Sequence, residues 1–201
     1  SMFCRSLLAT LVLLVAPVPV FGALAPLGDP GTTGASFVLE SVWSGGAFRW
    51  YRVAAPATTE PGESLPVVIA FHGGGGDALQ LATATDGLAD EATARGYLAV
   101  FPEGTGDLGG PPFFFVQTWN AGDCCGYASE NQIDDVTFFD ALVEDLRVNY
   151  GADPERVFVT GMSNGGSMVY RLAVERAGAI RAAAPVASAL HFHETLPTQP
   201  L

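Results

Sequence analysis

Basic residues are scarce in this 201-residue chain: nine Lys and Arg stand against 21 Asp and Glu, for a formal net charge of -12. Nucleic acid and anionic membrane surfaces both require a basic face to neutralise phosphate, so this balance argues against either partner. An acidic surface serves solubility. There are only three cysteines and three histidines, and nothing near Cys124 and Cys125 adds the two further Cys or His ligands that tetrahedral zinc needs. No metal site is expected. A membrane span is the weaker reading of residues 7–21, because the apolar stretch is about fifteen long, short of the ~20 that cross a bilayer. Pro17 and Pro19 also interrupt it. No internal repeat and no second domain are visible.

That apolar stretch has a different reading. Arg5 supplies a positive start, residues 7–21 an apolar middle, and Ala23-Leu24-Ala25 a small-x-small cleavage pattern, so residues 1–25 are expected to be a signal peptide and the protein secreted. One domain, residues 26–201, would remain. Cleavage discards Cys4 and leaves Cys124 and Cys125, which are adjacent. In an oxidising compartment they can form a vicinal disulfide, stay as two thiols, or bridge to a cysteine outside this chain, and spacing does not choose among these.

Periodicity gives the organisation. A Gly/Pro/Thr-rich lead at 26–34 precedes two strands, 36–40 and 48–53, joined at Ser44-Gly45-Gly46 as an antiparallel edge pair. Unbroken apolar runs at 67–71 and 97–101 read as strands buried on both faces of a parallel sheet. Between them Leu81, Ala84, Leu88 and Ala92 recur at helical spacing, and Gly96 stands where that helix would end. A long Gly- and aromatic-rich loop, 102–130, follows; loops of this length usually carry function. Val136, Phe139, Val143, Leu146 and Tyr150 then mark a second helix, with Asn131 as a candidate cap and Asp134 and Asp135 in its first turn. A strand at 157–160, a helix at 167–176 and a strand at 180–187 close the series. Alternating strands and helices predict an α/β fold, a mostly parallel sheet with helices on both faces.

The most informative run is Gly161-Met-Ser-Asn-Gly165, between that strand and that helix. It is the pattern of a nucleophile elbow, in which Ser163 occupies a strained turn and flanking glycines admit neighbouring backbone. A serine hydroxyl needs a base to take its proton, and the oxyanion that forms needs donors already in place. The Asn164 N–H supplies one donor, and the His72-Gly73-Gly74-Gly75-Gly76 loop offers a second from Gly73 or Gly74. His72 precedes Ser163 and sits at that loop, so the expected role is to hold the loop by hydrogen bonds at the margin of a substrate pocket. Phe113, Phe114, Phe115, Trp119 and Tyr127 either line an acyl or aryl pocket or form a satellite core beneath the long loop.

The segments Ala70-Phe-His-Gly-Gly, Phe101-Pro-Glu-Gly, Trp119-Asn-Ala-Gly-Asp-Cys-Cys-Gly126, Asp134-Asp-Val and Asp153-Pro-Glu-Arg-Val-Phe-Val-Thr-Gly-Met-Ser-Asn-Gly-Gly-Ser-Met168 resemble, in this order, the secreted polyhydroxybutyrate-depolymerase-like esterases. That group also holds feruloyl and acetylxylan esterases. The resemblance runs from about Phe48 to Ala187. It implies an α/β-hydrolase fold, hydrolysis of small or polymeric carboxylic esters through an acyl-enzyme on Ser163, and no metal or organic cofactor.

In such a fold the acid and the histidine of the triad follow the serine on loops after later strands. After Ser163 the helix and the strand at 180–187 take up most of the remaining residues, and a further strand-helix-strand unit needs about thirty. The triad acid and histidine are therefore expected beyond residue 201, the last strands of the sheet to be lacking, and 180–187 to form an edge. The chain begins Ser1-Met2, so its start is expected not to be natural either. His191 and His193 are the histidines after Ser163, with Glu175 and Glu194 as acids; a rearranged base among them requires hydrogen-bond reach to Ser163. Two other readings keep the elbow: a non-catalytic binding protein that uses the aromatic loop, and a secreted peptidase or lipase.

Overall fold

The computed structural model describes residues 34–60, 62–84, 87–109 and 114–191. The expected signal peptide, Phe113, His193 and Glu194 lie outside the described residues. β1 (Val38–Ser44) and β2 (Ala47–Ala54) pair antiparallel, turning through Gly45 and Gly46 at φ 60° and 85°. β3 (Leu65–Phe71) and β4 (Leu98–Pro102) are the apolar runs, almost wholly buried. After the short hairpin β5 (Thr105–Gly109) and β6 (Phe114–Thr118) come β7 (Ala152–Met162) and β8 (Ala182–Val186). The main sheet has six strands in the order β1-β2-β4-β3-β7-β8. From β4 to β8 every pairing is parallel, while β1, β2 and β4 pair antiparallel.

Helices cover both faces, as right-handed crossovers on either side of β3 require. α1 (Ala78–Ala84) and α2 (Leu88–Ala94) pack over Ala70, Ala99 and Phe101. α4 (Asp135–Tyr150) and α5 (Asn164–Glu175) pack over Val67, Ile69, Phe71, Val157 and Val159 on the other face. Alternation along β3 sends Ile69 and Phe71 to one core and Ala70 to the other, the period-2 consequence of the pleat. This is the α/β-hydrolase architecture expected from the sequence.

Several elements differ from the periodicity reading. The single helix expected up to Gly96 is two, α1 and α2, and Gly87 at the start of α2 has φ 88°, a left-handed conformation that a continuous helix cannot contain. Asn131 does not cap α4; Asp134 does, its Oδ1 accepting the Thr137 N–H at 2.9 Å, while Asn131 ends the short α3 (Tyr127–Glu130). The expected loop holds the β5–β6 hairpin and α3, because cross-strand pairing satisfies backbone groups that a bare loop would leave to water. β7 begins at Ala152, ahead of its apolar segment. β8 is the outer strand of the sheet among the described residues, with its side chains alternately exposed and half-buried.

A buried ion pair ties the edge hairpin to the rest. Arg49 of β2 donates to Asp135 Oδ1 at 2.7 Å, with side chains 10% and 0% exposed, and Asp135 Oδ2 accepts the Asn120 N–H at 2.7 Å. The Arg49 guanidinium also lies 4.1 Å from the Phe138 ring centre, a favourable cation–π position. Removing one partner leaves a charge with neither water nor a counterion. Asp135→Ala is therefore expected to lower unfolding stability by about 3–5 kcal/mol in urea titration, whereas Arg49→Met with Asp135→Leu recovers most of the loss.

Candidate active site

The site is built where β7 turns into α5. Ser163 has φ 54° and ψ -121°, a conformation that L-residues adopt only under constraint. Two backbone bonds supply it: the Ser163 N–H donates to the Val186 carbonyl at 3.0 Å, and the Ser163 carbonyl accepts the Ser167 N–H at 2.9 Å. The side chain is exposed. The flanking glycines are needed for space. A Cβ on Gly161 would stand 2.6 Å from the Gly165 carbonyl oxygen, and one on Gly165 would collide with the carbonyl oxygens of Phe71 and His72 at the end of β3.

The glycine loop after β3 lies against this turn. A Cβ on Gly73 would touch the Met162 carbonyl oxygen at 3.3 Å, and one on Gly74 would touch Asn164 Cβ at 3.6 Å, so the candidate donors Gly73, Gly74 and Asn164 are brought together around Ser163. Asn164 opens α5, where first-turn N–H groups have no intrahelical acceptor.

His72 is 1% exposed, with both ring nitrogens engaged. Nε2 accepts the Gly104 N–H at 2.9 Å, which puts the imidazole proton on Nδ1, and Nδ1–H donates to the Gly73 carbonyl at 2.8 Å. The Gly76 N–H donates to the same carbonyl at 3.0 Å. Because the peptide is trans, fixing the Gly73 carbonyl fixes the opposed direction of the Gly74 N–H. Burial holds the imidazole below the ordinary histidine value of 6.5, partly offset by the Gly73 bond.

Trp119 is fully buried, stacked near Phe138 and edge-on to Phe71, and its Nε1–H donates to the His72 carbonyl at 2.9 Å. The Asn164 side chain clips onto its backbone: Oδ1 accepts the Trp119 N–H at 2.7 Å and Nδ2 donates to the Trp119 carbonyl at 3.0 Å. Asn164 Nδ2 is also 3.9 Å from Cys125 Sγ. Cys124 and Cys125 are joined by a disulfide.

A cavity of about 350 Å³ opens beside Ser163. Its walls are Asn164, Ser167, Cys124, Cys125 and, after β8, Ala187, Ser188, Ala189 and His191. His72, Trp119 and Tyr127 do not line it: His72 and Trp119 belong to the support beneath the site, and Tyr127 starts α3. Phe114 and Phe115 lie in β6. Ser167, Ala187, Ser188 and Ala189 line the cavity with no local signal in the sequence, and His191, a candidate for a rearranged base, lines it as well. Ser188 follows no motif and reaches the site only because β8 is parallel to β7 and ends beside it. The need for Gly104 arises only in three dimensions: a Cβ there would meet the Thr118 carbonyl oxygen at 2.8 Å and His72 Nε2 at 3.0 Å. Among the described residues no group of three or more His, Cys, Asp or Glu could hold a metal ion.

Comparison with known proteins gives a consistent picture. No family model matches. The chain is 30% identical over 179 residues to "Putative esterase NocK" of Nocardia uniformis subsp. tsuyamanensis, covering 88% of this chain and 47% of that protein. It is 31% identical over 126 residues to feruloyl esterase B of Piromyces equi, covering 62% of this chain and 21% of that one. The chain thus spans about half or less of the length of these curated relatives. A solved ferulic acid esterase superposes with a TM-score of 0.59 at 16% identity over 81% of this chain and 62% of that chain, which establishes the α/β-hydrolase fold. The similarity in sequence is to esterases.

The imidazole of His72 gives this support a pH dependence. A histidine with a depressed folded value binds its proton more readily when unfolded, so its contribution to stability is complete above 6.5 and declines as pH falls below it. Urea midpoints at about pH 7.5 and 5.5 should differ for the native chain, and the difference should shrink in His72→Gln.

Proposed function

We propose that this protein is a serine hydrolase of carboxylic esters, with Ser163 as nucleophile and the N–H groups of Asn164 and of Gly73 or Gly74 as the oxyanion hole. The observation that carries the reading is the constrained Ser163 at the β7–α5 turn, its hydroxyl exposed to a 350 Å³ cavity and its neighbours on the glycine loop. In the first step Ser163 Oγ adds to the ester carbonyl as a base takes its proton, the oxyanion is held by the backbone donors, and the alcohol leaves with that proton. Water then repeats the sequence on the acyl-enzyme and releases the acid. Neither half requires a metal or an organic cofactor.

The base and the acid that orients it are proposed to come from parts of the protein outside these 201 residues; the support is that the chain spans 47% of NocK. The same support extends to the domain, read as 26–201 plus what completes it. His191 lines the cavity and is the alternative base. Esters of the feruloyl or acetyl kind, free or on a polymer, are the proposed substrates, supported by the feruloyl esterases among the relatives. Secretion with loss of residues 1–25 is supported by the Arg5, apolar and Ala23-Leu24-Ala25 pattern, and an oxidising compartment suits the Cys124–Cys125 disulfide. A purely binding role through the aromatic loop has less behind it, because Trp119 is buried and Tyr127 does not line the cavity.

The whole protein should turn over 4-nitrophenyl acetate, and Ser163→Ala should lower kcat by about 10⁴ or more with folding unchanged by circular dichroism. Undiminished turnover in Ser163→Ala would refute the nucleophile assignment.

A further inference from the structure

The disulfide is the one reactive group in the cavity wall that ester hydrolysis does not use. Cys125 is exposed and Cys124 half-buried. Both line the cavity with Ser163, so a thiol small enough to enter that space meets a sulfur. The loop bearing them is tied to the elbow at two points and to the segment after β8 at a third. Trp119 is clipped by the Asn164 side chain, Asn164 Nδ2 reaches Cys125 Sγ at 3.9 Å, and the Asp123 N–H donates to the His191 carbonyl at 2.8 Å. Asn164 is therefore shared. Its side chain faces the disulfide loop, while its backbone N–H is the proposed oxyanion donor.

We propose that Cys124–Cys125 is a thiol-exchange site inside the ester cavity, and that its reduction by a small dithiol lowers the reactivity of Ser163. The inference about reactivity rests on the esterase reading above. A thiolate of the dithiol attacks Cys125 Sγ; the S–S bond breaks and Cys124 leaves as a thiolate that takes a proton. The second thiol of the reagent displaces Cys125 from the mixed disulfide. The reagent ends as a cyclic disulfide, two electrons have passed to the protein, and both cysteines are thiols. Joined, the two side chains form a single ring that cannot leave the cavity wall. Reduced, each turns about its own Cα–Cβ bond, Cys125 leaves Asn164, and the wall beside the oxyanion donor loosens.

Intact-mass measurement on the whole protein tests this, with dithiothreitol as reductant, a maleimide to count thiols and an alkyl fluorophosphonate to titrate Ser163. Reduction should add two maleimides and slow phosphonylation of Ser163 by about tenfold, less than the hundredfold or more expected from losing an oxyanion donor outright. Cys124→Ala with Cys125→Ala should show the slow rate with or without dithiothreitol. An unchanged phosphonylation rate after proven reduction overturns the proposal. A second arm does not use Ser163: Ala189→Trp, which crowds the cavity from an exposed position, should slow reduction several-fold under native conditions and leave it unchanged in urea. Equal native rates overturn access through the cavity. If no form is phosphonylated, the nucleophile assignment fails, and the Ala189→Trp arm alone decides whether the exchange site exists.

Discussion

Everything at this site depends on how closely the start of α5 approaches the end of β3. The carbonyl oxygens of Phe71 and His72 occupy the space where a Gly165 side chain would be, and the Gly165 carbonyl oxygen occupies that of Gly161. With no room for a Cβ, the chain can reverse from β7 into α5 within one residue, and that residue takes the constraint. Ser163 at φ 54° is the result. The strain is maintained by its surroundings: β7 is paired on both sides, by β3 and β8, and the Met168, Val169 and Leu172 side chains of α5 are fully buried. Relaxing Ser163 would require moving that core, which costs far more than the roughly 1–3 kcal/mol typical of one strained residue.

The sheet order determines what else can reach Ser163. β3 connects through α1 and α2 to β4 on one side, whereas β7 connects through α5 to β8 on the other. Neighbouring parallel strands whose connections leave in opposite directions open a crevice at their carboxyl ends. The His72–Gly76 loop and the elbow are the two lips of that crevice. The Trp119 segment closes it from the side, held by Asn164 to the elbow and by Asn120 to the Arg49–Asp135 pair. A continuous polar path thus runs from the edge hairpin to the turn at Ser163, beneath an apolar layer of Phe71, Trp119 and Phe138.

Sequence reasoning located the parts of this arrangement whose chemistry is local. Ser163, its glycines and the glycine loop after β3 were legible because a tight turn restricts residue type at fixed spacing. β3 and β4 were legible because a doubly covered strand is apolar throughout. Other features arise only in three dimensions. Gly87 reads as one more residue of a helical period until its φ is known. Asp135 looks like an ordinary first-turn acid, and nothing local announces that Arg49 lies against it. Asn164 was identified for its backbone, although its side chain has the larger structural role. Trp119 and Tyr127 suggested a pocket because aromatics commonly line pockets; burial put Trp119 into the support instead.

The division between support and wall also explains why the two histidines near the site differ in kind. A general base must exchange a proton with water between turnovers and needs one ring nitrogen free to meet the nucleophile. His72 has neither property: Nδ1–H is committed to Gly73, Nε2 to Gly104, and the ring is sealed beneath Trp119. Its value lies in being fixed, since the same bonds that remove it from proton transfer hold the Gly73–Gly74 peptide whose N–H is the proposed oxyanion donor. His191 is half-buried at the cavity wall and its backbone carbonyl is held by Asp123, so the chain passes the cavity at that point with a defined path. The open side of Ser163 is the cavity bounded by the disulfide and by Ala187, Ser188, Ala189 and His191, whereas the glycine loop and the buried His72 fill the opposite side.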